Sequence, residues 1–270
     1  MNTNLTFLGT GNAMVTKCYN TCFLINHKEE TVLVDAGGGN GIFNQMESVG
    51  ADYTKIHHMF ITHGHTDHIL GAIWIVRKIA TMMNAGQYEG EFHIFCHDIA
   101  AEMLTTFCNM TLVKKFVKLI GDRILIHVVE DGDSQEMAGM KFTFFDIFST
   151  KAKQFGFQAV LKEEHKIITC LGDEPYNEKC ENYVKGSDYL LCEAFCLYQD
   201  REIFKPYEKH HSTAKDAGEL AQKLQIKNLV LYHTEDKTLA TRKTAYTAEA
   251  KAVFEGNVYV PDDLDVIPIA

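Results

Sequence analysis

The sequence predicts an α/β fold in which two β-sheets pack face to face and helices cover their outer faces. Three observations predict it. Apolar strands cluster at the start and in the second half of the chain, helices with a 3.6-residue apolar period are interleaved with them, and no linker, repeat or low-complexity run divides the 270 residues. A chain of this length, 46% hydrophobic, can bury a substantial core within a single domain spanning residues 1–270.

The opening reads as strand, loop, strand, strand. Leu5–Leu8 is a short apolar strand that Gly9-Thr10-Gly11 breaks. Thr21–Ile25 and Thr31–Val34 are expected to pair around a turn at Asn26–Glu30, and Asp35 with Gly37-Gly38-Gly39 ends the second of them. His57–Thr62 is another apolar strand, stopped at His63-Gly64-His65. From Ile69 to Met83 the period becomes helical, with Ile69, Leu70, Ile73, Trp74, Val76, Arg77 and Ala80 on the expected face and Asp67 at the N-cap position. A strand at Glu91–Cys96, a helix at Ile99–Ile120 and a strand at Ile124–Val129 follow. Further strands are expected at Lys141–Phe148, Gly156–Leu161, Lys166–Leu171, Tyr189–Cys196, Asn228–Tyr232 and Asn257–Val260, with helices at Thr213–Leu224 and Lys243–Ala252.

Composition narrows the function classes. The formal net charge is −10, and an acidic surface repels phosphate backbones, so wide contact with nucleic acid is not expected. No apolar run reaches membrane-spanning length, and the N-terminal MNTNLTFLGTGNA lacks the basic-then-apolar pattern of a signal peptide. The eight cysteines show no framework spacing and read as reduced thiols of a cytoplasmic protein. Cys18/Cys22 and Cys192/Cys196 lack a second pair at zinc-ribbon spacing.

The segment THGHTDHILG carries the chemistry. Three histidines and an aspartate fall within six residues, at the end of a strand and the start of a helix. Imidazole and carboxylate donors suit Zn2+, with Mn2+ or Fe2+ also accommodated. His63 and His65 can converge on one ion from the tight turn, while Asp67 and His68 can address a second from the start of the helix. Asp173 follows the strand HKIITCLGD and His233 follows NLVLYH, both polar groups delivered at strand C-termini.

THGHTDH resembles the HxHxDH signature of the metallo-β-lactamase superfamily, and the resemblance runs nearly end to end. It implies a four-layer αββα sandwich. Within the superfamily the chain is most similar to the ribonuclease Z branch, through FLGTGNA near the start, LVDAGGG at Leu33–Gly39, LGDEP at Leu171–Pro175, CEAF at Cys192–Phe195, HHSTAKDAGELA at His210–Ala221 and LVLYHTED at Leu229–Asp236. The resemblance implies that Asp35 supports the metal histidines, that Asp173 bridges two ions, that His233 is a ligand, and that Glu193 lies near the site with His211 as a functional histidine.

Two departures from that pattern matter. The stretch FFDIFSTKAKQFGF should carry a further metal histidine just before its Ser-Thr-Lys loop, and Phe148 stands where the histidine is expected. The first site would then keep His63, His65 and Asp173, and the second Asp67, His68, Asp173 and His233. Asp146, His97 or His127 could substitute for the missing donor. Members of the branch that mature tRNA also carry a long basic arm between the strand at Gly156 and Asp173, where only a tight hairpin at Lys162–Lys166 fits here.

The expected function is that of a metal-dependent hydrolase using metal-activated water on a small phosphodiester. Asp67 would serve as ligand and proton acceptor, and His211, oriented by Glu193, would act on the substrate. The expected partners are one or two ions and a small molecule, not tRNA or a membrane, in a chain that could form a homodimer. The alternative class is a degenerate, non-catalytic member that binds metal or ligand, and Phe148 favours it. A redox di-iron protein would resemble HxExD, and position 65 is His.

Overall fold

The computed structural model describes residues 3–269 and places fourteen strands in two seven-stranded sheets. In chain order they are β1 (Asn4–Gly9), β2 (Cys22–His27), β3 (Glu30–Val34), β4 (Ile56–Phe60), β5 (Phe92–Cys96), β6 (Ile124–Val128), β7 (Ser134–Met137), β8 (Met140–Asp146), β9 (Phe155–Leu161), β10 (Lys166–Cys170), β11 (Tyr189–Glu193), β12 (Asn228–Tyr232), β13 (Asn257–Tyr259) and β14 (Val266–Pro268). The first sheet runs β14-β1-β2-β3-β4-β5-β6, and the second β13-β12-β11-β10-β9-β8-β7. The helices are α1 (Ile42–Ser48), α2 (Thr66–Asn84), α3 (Asp98–Thr111), α4 (Lys114–Val117), α5 (Glu181–Val184), α6 (Arg201–Phe204), α7 (Ala214–Lys223) and α8 (Leu239–Lys251). The chain therefore has the αββα sandwich that the sequence predicts.

Three apolar layers hold it together. Between the sheets lie Phe7, Phe23, Phe60, Phe142, Phe144, Phe157 and Tyr232, all at most 1% exposed. One outer layer packs α2 and α3 on the first sheet, and the other packs α7 and α8 on the second. The central strands β11 and β12 are buried along their whole length, as strands covered on both faces must be. In both sheets the strands that lead to the site, β3, β4, β10, β11 and β12, are parallel neighbours, so their C-terminal ends open on one edge of the sandwich.

Several boundaries differ from the sequence prediction. The first hairpin turns at Lys28-Glu29, with Lys28 at positive φ, and Asn26 lies inside β2 opposite Thr31. The predicted helix Ile99–Ile120 is two helices, because Leu112 and Val113 take extended conformations between α3 and α4. No Gly or Pro announces that break. The buried side of α2 is Ile69, Ala72, Ile75, Val76, Ile79, Ala80 and Met83, whereas Trp74 is 36% exposed and Arg77 is exposed. The N-cap is His65, and Asp67 lies inside the first turn of α2. β7, β14 and α1 escape a pattern search because they are short, and β7 is a largely exposed edge.

One close approach fixes α2 against the loop that carries Asp35. Gly71 N donates to Gly37 O at 2.8 Å, and Ala36 N donates to His68 O at 3.1 Å. A Cβ on Gly71 would sit 1.8 Å from Ala36 O, and backbone cannot yield cheaply. Gly71→Ala is expected to lower stability by roughly 3 kcal/mol in urea denaturation. A loss under about 0.5 kcal/mol would show that the helix can slide.

Candidate metal centre

The site forms where both sheets present their strand ends. His63 follows β4, His65 caps α2, and Asp67 and His68 lie in its first turn. Asp173 follows β10 and His233 follows β12. The fold brings these six side chains into two groups, His63/His65/Asp173 and Asp67/His68/His233, and within each group the donor atoms lie within 4.8 Å of one another. His63 Nε2 and His65 Nδ1 lie 2.8 Å apart, a separation compatible with two nitrogens facing one ion. Asp173 Oδ2 lies between the groups, 3.6 Å from His63 Nε2, 3.6 Å from His68 Nε2 and 3.5 Å from His233 Nε2.

The electrostatics fit a cation. Asp35, Asp67 and Asp173 are all at most 5% exposed. Burial opposes ionisation of Asp67, yet His68 and His233 hold its carboxyl well below the usual range. Asp173 is likewise held low against burial by His63, His68 and His233. Burial pushes His63 well below the ordinary imidazole value and His233 down to about 3, leaving both neutral with a lone pair to give. For His68 burial is outweighed by Asp67 and Asp35, which raise it. His68 Nε2 is nevertheless a buried nitrogen without a hydrogen bond. Buried carboxylates ringed by imidazoles, two of them held neutral, are a donor set that a divalent ion completes.

Neighbours orient the rings. Asp35, held at positive φ, accepts His68 Nδ1 at 2.7 Å, Thr62 N at 2.9 Å and Thr62 Oγ1 at 2.8 Å. Thr21 Oγ1 lies 3.1 Å from His233 Nδ1, and His233 itself sits at φ +59°, a strained conformation for a non-glycine residue. The support expected of Asp35 is thus a hydrogen bond to His68. The roles of Thr21 and Thr62 were not legible from the sequence.

Phe148 adds no donor to the first group, which has three. Its φ is +57°, and its ring lies under Lys179 Nζ at 4.4 Å and packs with the outer layer of the second sheet. Asp146 accepts Phe148 N at 2.7 Å in the local turn, and neither it nor His97 nor His127 joins either donor group among the described residues. The side chain that reaches the first group is Gln154, 1% exposed, whose Nε2 donates to Asp173 Oδ1 and lies 2.7 Å from His63 Nδ1. No pattern in QFGF distinguishes it from a strand residue. Phe148→His should therefore leave bound metal unchanged, while Gln154→Ala should weaken metal binding about 10- to 100-fold, both read by elemental analysis and competition with a chelator. A gain of metal in Phe148→His would overturn this assignment.

Glu193 and His211 meet as expected. Glu193, at the end of β11, is fully buried and accepts Ser212 N at 2.6 Å. Its Oε2 faces His211 Nδ1 at 3.5 Å, and burial raises its carboxyl while His211 opposes the rise. Phe195 stacks on the His211 ring at 4.9 Å. Thr213 caps α7, in a reciprocal capping box with Asp216. His65, Asp67, Asp173, His211 and His233 line one cavity of about 760 Å³, with Phe195 and Phe204 on its wall. The fold thus brings the six metal candidates together, with Asp35 on His68 and Glu193 on His211.

The same fold recurs in known proteins. The metallo-β-lactamase fold protein YhfI from Bacillus subtilis superposes with a TM-score of 0.79 at 17% identity, each chain covered in full. The short form of human tRNase Z gives 0.76 at 20% identity, with 99% of each chain covered. Among curated sequences, the ribonuclease Z of Haloferax volcanii is 23% identical, over 97% of this chain and 94% of its own length. These likenesses establish the metallo-β-lactamase fold, and the ribonuclease Z branch is one of several relatives at similar distance. A family model described as Anti-Pycsar protein Apyc1 matches residues 3–259.

Proposed function

The chain belongs to the Anti-Pycsar protein Apyc1 family, and on that premise we propose that it is a metal-dependent hydrolase of small phosphodiesters, with a cyclic or modified nucleotide as its substrate class. One observation carries the reading: two donor groups meeting at Asp173 share a cavity with the Glu193–His211 pair. His63, His65 and Asp173 would hold one divalent ion, and Asp67, His68, Asp173 and His233 a second. Such an ion, when bound, lowers the pKa of water and polarises the ester to be cleaved.

The chain's own groups do the rest. Asp67, ionised and pointed into the cavity, takes the proton of the attacking water. His211 faces Glu193 through Nδ1, which leaves Nε2 for the substrate, where it stabilises charge or protonates the leaving oxygen. The ionic wall suits an anionic diester, and Phe195 and Phe204 suit an apolar or planar substituent. The second reading is a metal-binding protein without turnover, favoured by Gln154 beside the three-donor group.

tRNA is not proposed as a substrate. β9 and β10 are joined by the four-residue turn 162–165, and the net charge is −10. Protein loaded with Zn2+ or Mn2+ should cleave bis(p-nitrophenyl) phosphate or a cyclic nucleotide, and should leave precursor tRNA intact at physiological salt. Salt-sensitive 3′ processing of tRNA would sink the substrate assignment. Loaded protein inert toward diesters, sulfate esters and lactones would favour the second reading.

A further inference from the structure

The Ser149-Thr150-Lys151 run plays no part in the reading above, yet it is tied to the heart of the site. Glu174, adjacent to Asp173 in the chain and 4% exposed, accepts Ser149 Oγ at 2.8 Å and Thr150 N at 3.2 Å. Ser149 Oγ in turn accepts Lys151 N at 3.2 Å and Ala152 N at 3.3 Å, which folds the run into a compact turn. Across the cavity mouth, Thr150 Oγ1 lies 2.7 Å from His210 Nδ1, and Lys151 Nζ donates to Lys209 O at 3.1 Å. Lys151 Nζ also stands 3.6 Å from Glu174 Oε1. The left-handed turn at Phe148 sends that ring outward and this run inward.

Three lysines line the cavity, in a chain whose net charge is −10. They are not equivalent. The Lys237 side chain is 70% exposed and its Nζ is 3.8 Å from Asp236, while Lys209 Nζ lies 4.8 Å over the Phe195 ring. The Lys151 side chain is only 27% exposed and is positioned by hydrogen bonds that originate at the residue beside Asp173.

We propose that Lys151 is a substrate-binding residue that recognises the anionic group of the ligand, with Glu174 as the positioning residue that aims it. This deepens the phosphodiester reading and rests on it for the identity of the anion. The ammonium supplies positive charge on the side of the cavity where the Ser-Thr-Lys run brings no imidazole. Lys151 Nζ exchanges its contact with Lys209 O for an oxyanion, which is a charge-assisted hydrogen bond in a partly dry site.

The test uses the full-length, metal-loaded protein and inorganic phosphate as probe, with binding measured by calorimetry and metal content measured in parallel. Lys151→Met should weaken phosphate binding at least about tenfold with metal content unchanged, Lys151→Arg should recover most of it, and Glu174→Gln should fall between them. With a chromogenic diester the loss in Lys151→Met should fall mainly on KM. Phosphate binding in Lys151→Met equal to that of the unmodified protein overturns the proposal. If the unmodified protein cleaves no diester but still binds phosphate through Lys151, the anion site stands and the hydrolase reading falls. If it cleaves diesters and Lys151→Met changes neither phosphate affinity nor KM, the hydrolase reading stands and this proposal falls.

Discussion

Asp173→Asn is expected to empty both metal sites at once. Asp173 Oδ2 faces His63, His68 and His233 at 3.5–3.6 Å, so one oxygen serves both donor groups. An asparagine keeps the shape but removes the charge, and a neutral amide bridges two cations poorly. Metal affinity should fall at least a hundredfold, and turnover with it, to about background. The single-site variants provide the control: His65→Ala should lose only the first ion, and His68→Ala or His233→Ala only the second. A second readout separates ligand loss from misfolding. Without metal, the variant should be somewhat less stable than the parent but still unfold cooperatively, because His63, His68 and His233 hold Asp173 ionised and lose that partner. The rise in Tm on adding Zn2+ should disappear. Two ions retained per chain in Asp173→Asn would show that the oxygen is not shared.

His211→Ala should behave in the opposite way, losing turnover by about 10²- to 10⁴-fold and keeping its metal. The imidazole faces Glu193, stacks on Phe195 and lies tilted against the His233 ring. Its removal takes away a proton donor without removing a metal donor. Glu193→Gln should cost less than His211→Ala, since it weakens the orientation of His211 but leaves the ring. Because Glu193 also accepts Ser212 N, its variant must be checked by thermal unfolding. A leaving group of low pKa, such as p-nitrophenolate, should need the proton less and show the smaller defect in His211→Ala. Parallel loss of metal and activity would instead make His211 a ligand.

The donor set was legible in the sequence because its chemistry is dense. Four metal-competent residues within THGHTDH, together with histidine and aspartate at the ends of apolar strands, need no coordinates to be noticed. What the sequence could not show was contact between side chains far apart in the chain. Gln154 meets His63 and Asp173 through a strand order that no local pattern encodes. The direction of the Phe148 ring is hidden for a related reason: its positive φ decides which way the side chain leaves the backbone, and no local pattern encodes it. Asp favours the N-cap position, yet α2 begins two residues earlier: His65 stands at the N-cap without a side-chain cap, and Asp67 lies in the first turn with its carboxylate facing His68.

Each donor group draws on both halves of the chain: His63 and His65 with Asp173, Asp67 and His68 with His233. The first members of each group hang from one sheet and the last from the other. An ion held there is a cross-link between sheets, and its binding free energy becomes docking free energy for the halves. At a free concentration a hundred times its dissociation constant, one ion would add about 2.7 kcal/mol to the resistance of the sandwich to separation. Metal supply would thus set how long the protein survives proteolysis as well as how fast it works.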